Sequence, residues 1–343
     1  MEQAELAWPK GDQPGSSEYI RSVPESISSV LKTLLPKDIQ DMVTGIFSIT
    51  PNVGVTGRYQ VSLDNSPPLF LRLTARMGYM QLETDLIRHA FAAGAAVMPA
   101  MRCEAVTVKE CELRLDLRRF QPGDHPERTL KDTLSIAREL KILHQSLRSF
   151  GGAVEVKDHA LKRFARFQKI SEQIAEGEIS ISLPKALHDW FYKEVQWLQG
   201  FAAHVIQPID MIEDENSQCV HGEPTPANTL LTTDRAFFID FEESVHIFAT
   251  PLWDIAYLVQ RNLLVNDADV ATIGGWLEAV QQECGYSCQG VFEYMQGIAW
   301  SLLMMIIDFA EHQIETPVGE CVKFKQLAIQ AEELAAALPH WSK

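Results

Sequence analysis

Between Ile46 and Arg119 short alternating apolar runs are separated by clusters of turn-forming residues, and this punctuation limits the fold more than any other feature. Ile46–Thr50, Tyr59–Leu63 and Leu69–Leu73 read as strands, and Pro51–Gly57 and Asp64–Pro68 as the tight turns between them. Turns this short join antiparallel neighbours, because a parallel crossover needs a dozen or more residues. Leu82, Leu86, Ile87, Ala90 and Phe91 then fall at helical spacing until Gly94 stops the run. Met101–Val108 and Glu112–Arg119 read as two further strands, and Gln121-Pro122-Gly123-Asp124 ends the sheet.

Beyond that break the periodicity becomes helical. Leu130, Leu134, Ala137, Leu140 and Leu147 form one apolar stripe, Leu187, Phe191, Val195 and Leu198 another, and residues 251–338 return to helices. A strand-rich first third and a helical remainder predict an α+β chain, and 343 residues suffice for two lobes. The predicted division is an N-terminal extension over 1–40, with a short helix or two near its end, a sheet-rich N-lobe over 41–120 and a helical C-lobe over 121–343.

A formal net charge of −16 argues against a nucleic-acid partner, which would call for a basic stripe. The N-terminus has no basic segment followed by an apolar core, so no signal peptide is expected. Ile298–Ile307, the longest apolar run, is about half of the ~20 residues that span a bilayer and reads as a buried core helix, so no membrane partner is expected. The six cysteines are scattered, and Cys284 and Cys288 have no histidine at zinc-site spacing. Free thiols in a cytoplasmic protein, monomer or homodimer, are the expectation.

The chemistry concentrates in Val220–Asp254. Glu223 precedes Asn228 by five residues, directly before a predicted hairpin of Asn228–Thr232 and Ala236–Asp240. Either piece alone reads as turn and cap residues. Together they supply what phosphoryl transfer requires: a carboxylate to take a hydroxyl proton, and an amide and a second carboxylate to hold Mg²⁺ against phosphates.

His221-Gly222-Glu223, Asn228, Ile239-Asp240-Phe241-Glu242 and Pro251-Leu252-Trp253-Asp254-Ile255-Ala256 together resemble the aminoglycoside phosphotransferase and choline kinase-like family, which has the protein-kinase-like fold. Leu143-His144, Pro122-Gly123 and Gly94 with Pro99 add weaker matches. The resemblance spans about residues 45–260. It implies ATP or GTP and Mg²⁺ as cofactors and a small-molecule hydroxyl acceptor: aminoglycoside, amino-alcohol, sugar or homoserine-like. It implies Glu223 as catalytic base, Asn228 and Asp240 as Mg²⁺ ligands, His221 as a brace of the catalytic loop and Asp254 as its backbone clamp. On the nucleotide side it implies Arg72 for the phosphates with Glu83 as its partner, Gly54, Thr56 and Gly57 as the phosphate-covering loop, and Arg119 and Phe120 at the end of the sheet. Glu242 and Glu243 are candidate acceptor contacts, and with the negative charge they lean toward a cationic acceptor.

Two departures stand out. Glu223 replaces the family's usual Asp, and Arg72 its usual Lys; Arg keeps the charge and is not equivalent. They leave open an alternative, a pseudokinase that binds nucleotide or serves as a scaffold without turnover.

Overall fold

The computed structural model describes residues 21–49, 55–75, 77–177, 183–212, 214–262, 268–311 and 317–342. The chain divides into two compact units: residues 1–127 with Pro226–Ile239, and Arg128–Thr225 with Asp240–Lys343.

Unit 1 is built on a six-stranded antiparallel sheet of β1 (Arg21–Ser22), β2 (Val43–Ser48), β3 (Gly57–Leu63), β4 (Ser66–Thr74), β5 (Ala100–Val108) and β6 (Cys111–Arg119), in the order β1-β2-β3-β4-β6-β5. Alternation puts Tyr59, Val61, Leu69, Leu71, Leu115 and Leu117 in the core. Helices α1 (Glu25–Leu34) and α2 (Lys37–Gln40) precede the sheet, and α3 (Met80–Ala92) sits between β4 and β5. The described part of the predicted extension is integral to this unit. Strand β1 pairs with β2, Leu31 and Leu35 are buried in the sheet's core, and Arg102 of β5 donates to the Leu34 carbonyl at 2.9 Å. The amphipathic stripe of α1 needs an apolar face to cover, and the sheet provides it.

The hairpin β8 (Thr229–Leu231) and β9 (Ala236–Phe238) also belongs to unit 1, although the sequence placed it in the helical lobe. Leu231 bridges Asp124 and Phe238 bridges Val97, so backbone pairing joins the hairpin to segments over a hundred residues earlier. Gly123 permits this approach, since a Cβ there would lie 2.8 Å from the Leu231 carbonyl oxygen.

Unit 2 is helical: α4 (Leu130–Leu147), α5 (Ala153–Glu176), α6 (Lys185–Ala202), α7 (Leu252–Asn262), α8 (Val270–Cys284), α9 (Val291–Glu311) and α10 (Val318–Ala337). A two-stranded pair, β7 (Gln218–Cys219) and β10 (Phe248–Ala249), brackets the segment that carries the chemistry. By length and composition α9 is apolar enough to cross a membrane, yet most of it is buried inside this unit. Its Trp300 is fully buried and its indole N–H reaches Ser171 of α5 at 3.0 Å, which satisfies the one polar group of that side chain.

Candidate active site

The turn His221-Gly222-Glu223 follows β7, and side chains of unit 2 hold almost every polar group of its backbone. The fully buried Asp254 carboxylate accepts the His221 amide through Oδ2 and the Gly222 amide through Oδ1, each at 2.8 Å. His144 Nε2, at the end of α4, donates to Oδ2 at 2.8 Å. Ser244 Oγ donates to the His221 carbonyl at 2.7 Å, and the Trp253 indole to the Gly222 carbonyl at 3.0 Å. The Glu223 amide reaches His221 Nδ1 at 3.3 Å, which places the neutral ring's proton on Nε2. Gly222 has φ +87°, and a Cβ there would sit 3.2 Å from the Glu243 backbone, so only glycine fits.

This clamp presents Glu223 at the wall of a pocket of about 430 Å³ that is open to solvent. Phe164 and Phe167 of α5 form one side, Trp253 and Tyr257 of α7 another, and Leu302 and Met305 of α9 a third. Tyr257 Oη donates to Glu223 Oε1 at 3.2 Å and receives the Arg261 guanidinium at 3.3 Å. Asp254, Tyr257 and Arg261 succeed one another on α7 at three- and four-residue spacing, so a single helix carries the clamp and both supports of Glu223. Burial raises the Glu223 carboxyl above the usual carboxylate range, and the Glu243 and Asp240 charges push the same way, while Arg261 and the Tyr257 hydroxyl oppose them. Glu243 differs. Burial would raise it, but Arg163 of α5, at 2.5 Å, holds it below the usual range. Burial together with Arg163 pushes His246 down to about 4, so it is uncharged at neutral pH.

Unit 1 carries Asn228 and the residues expected on the nucleotide side, while Asp240, Glu242 and Glu243 open the second stretch of unit 2. The His125 ring lies 3.1 Å from the Pro226 carbonyl and 3.0 Å from that of Thr229, which fixes the short 3₁₀ turn bearing Asn228. The Ile239 amide donates to the Asn228 carbonyl at 2.9 Å. Asp240, the next residue, has φ +62°, a left-handed backbone that costs roughly 1–3 kcal/mol and that Asp tolerates better than most residues. Arg72 lies on β4 in register with Asp116 of β6 and Arg58 of β3. Glu83 of α3 does not take Arg72 as its ion-pair partner. Arg114 holds it at 2.6 Å and Arg118 at 3.7 Å, while Arg114 also pairs with Asp116 at 3.0 Å. Residues 114, 116 and 118 share one face of β6, so Arg114 and Arg118 both reach Glu83. Thr56 and Gly57 lead into β3, and Gly54 lies outside the described residues. Arg119 is exposed at the end of β6, and the Phe120 amide donates to the Pro68 carbonyl at 3.0 Å. Glu242 and Glu243 begin the turn after Asp240, and of the two only Glu243 lines the pocket.

A sheet-based unit, a helical unit and a clamped carboxylate loop define a protein-kinase-like phosphotransferase. The profile of the phosphotransferase enzyme family, APH, matches residues 50–288, and the chain belongs to that family. No curated protein matches the sequence at a significant level. Among solved structures, an aminoglycoside phosphotransferase from Alicyclobacillus acidocaldarius is similar with a TM-score of 0.56 and 15% identity, over 90% of this chain and 95% of that one. The choline kinase LicA from Streptococcus pneumoniae gives a TM-score of 0.55 and 15% identity, over 91% of this chain and 99% of that one. The spectinomycin phosphotransferase APH(9)-Ia, solved with ADP and spectinomycin, gives 0.57 and 13%, over 90% and 98%. At these identities the structures speak for the fold, and the family for a small-molecule kinase.

Proposed function

We propose that this chain transfers the γ-phosphoryl group of ATP to a hydroxyl of a small molecule, with Glu223 as the general base. The observation that carries this reading is the Asp254 clamp, which fixes the Glu223 turn through both neighbouring amides and turns its carboxylate to a pocket. A carboxyl raised by burial and like charge is suited to accept a proton near neutral pH. Tyr257 keeps the longer glutamate in one place, so the substitution of Asp by Glu is compatible with base chemistry.

Asn228 and Asp240 would hold Mg²⁺. Both offer oxygen ligands, which this ion requires, and the left-handed Asp240 backbone is the kind of local strain found at functional positions. The ion, when bound, neutralises charge on the phosphates. Arg72, with Thr56, Gly57, Arg119 and Phe120, is assigned to the nucleotide side, while Glu83, held by Arg114 and Arg118, ties α3 to β6. Glu223 orients the acceptor hydroxyl and takes its proton as the phosphoryl group moves.

The test is phosphoryl transfer from ATP to a library of hydroxyl compounds, with and without Mg²⁺, in the wild type and in Glu223→Gln. Turnover in the wild type that falls roughly 10²–10⁴-fold in the folded variant supports the assignment. Full turnover in Glu223→Gln removes Glu223 as base. Nucleotide binding without transfer to any compound favours a scaffold.

A further inference from the structure

The character of the pocket before Glu223 bears on what the acceptor is. Its polar groups are few and already matched. Glu243 is paired with Arg163 at 2.5 Å, so it presents a neutralised carboxylate. The same guanidinium reaches Met305 Sδ at 3.2 Å. Glu223 is bound by Tyr257, with Arg261 behind it. His246, close to the Arg163–Glu243 pair, is uncharged. No surplus of negative charge is left to receive several ammonium groups, and desolvating them against apolar walls is costly.

An aromatic lining can instead hold one quaternary ammonium over its ring faces. Here the chain's own cations lie over two of the four rings, and the other two, Phe164 and Trp253, pack against each other with centroids 5.9 Å apart. Arg163 lies 5.5 Å from the Phe167 ring centroid and Arg261 lies 5.1 Å from that of Tyr257. A further cation would meet like charge at both. What remains is apolar: Phe164, Ile247, Ile298, Leu302, the Met305 side chain and the Trp253 ring, whose N–H is already given to the Gly222 carbonyl. The enclosed part of this space is small, about 70 Å³, which suits a compact body.

We infer that the acceptor is a compact, uncharged alcohol whose apolar body lies between α5 and α9 while its hydroxyl meets Glu223. This rests on the phosphotransfer reading above, and it replaces the leaning toward a cationic acceptor. Arg163 is then a specificity-determining residue: it cancels the acidic group that would otherwise attract an ammonium.

The experiment compares 3-phenylpropan-1-ol and cyclohexylmethanol with choline and kanamycin as acceptors for the full-length protein with Mg²⁺ and ATP. The two neutral alcohols are expected to exceed both cations in kcat/KM by roughly tenfold or more. Equilibrium binding of 3-phenylpropan-1-ol, read through tryptophan fluorescence, is expected to weaken by about tenfold when Met305→Lys puts a charge into the wall. Arg163→Gln, which leaves Glu243 uncompensated, is expected to shift the preference toward choline. A higher kcat/KM for choline or kanamycin in the wild type overturns the inference, and so does unchanged binding in a folded Met305→Lys. Binding that depends on Met305, without transfer to any of the four compounds or to any member of the hydroxyl library, supports the pocket's preference and overturns the phosphotransfer reading instead.

Discussion

Two buried sites of charge show how the same residue types serve opposite ends. In unit 1, Glu83 and Asp116 are enclosed by Arg114, with Arg118 also near Glu83, and all four are nearly inaccessible to solvent. Each carboxylate there has a cation against it, and the cluster joins α3 to β6. In unit 2, Glu223 lies near two other carboxylates, Glu243 and Asp240, with a neutral hydroxyl as its bonded neighbour and a guanidinium one step further away. Matched charge fixes an architecture. A carboxylate whose balancing guanidinium stands one step behind a neutral hydroxyl has a reason to take up a proton. Asp254, thirty-one residues beyond Glu223, is the matched type within unit 2: three donors saturate it, and it serves as a clamp.

The largest expected effect separates activity from stability at Glu223. Folding raises this carboxyl's pKa, so the native state favours its protonated form. That contribution is present below the ordinary glutamate value of about 4.3 and is lost as pH rises through the raised native value. Glu223→Gln therefore loses turnover yet should melt no lower than wild type at neutral pH; a lower melting temperature would give Glu223 a structural role. Activity should fall on acidification at a pH above the usual carboxylate range, because only the ionised form accepts a proton.

At the matched cluster the balance reverses. Arg114→Met strips Glu83 and Asp116 of their shared partner and should cost about 3–5 kcal/mol in urea unfolding. A loss below about 1 kcal/mol would show that the cluster is as loosely coupled as a surface pair.

Tyr257→Phe probes the brace on the base. Losing one hydroxyl bond to a carboxylate should lower kcat by about tenfold, equivalent to about 1.4 kcal/mol, with KM for ATP unchanged. The acid limb of the pH profile should move upward, since that bond favours the ionised form. An unmoved kcat and limb would remove Tyr257 as a positioning residue. The smallest effect belongs to Lys162 on the exposed face of α5, paired with Asp158 at 2.6 Å. Lys162→Ala should change stability by less than about 0.5 kcal/mol, the baseline against which the others are read.

Much of the architecture was legible because it is local. Period-two runs and turn clusters marked β3, β5 and β6 closely and Gly94 and Pro122-Gly123 marked where elements stop, while β2 begins earlier than read, at Val43, and β4 takes in Ser66-Pro67-Pro68, which had read as turn. The long helix α5 was not read, although Phe164, Phe167 and Ile170 on it are buried; with it went Arg163, whose partner Glu243 is eighty residues distant. Tyr257 and Arg261 carried a usable signal, since they follow Asp254 at helical spacing on one face of α7.

By itself, the sequence determined the element types, the family, and the order of His221, Glu223, Asn228, Asp240 and Asp254 along the chain, because periodicity, turn chemistry and motif spacing are written in consecutive residues. The tertiary structure alone decided which charges meet. It gave Glu83 to Arg114 instead of Arg72, joined the Asn228 hairpin to unit 1, and matched Glu243 with Arg163. Ion pairing depends on distance and burial between residues far apart in the chain, and neither is encoded in local pattern.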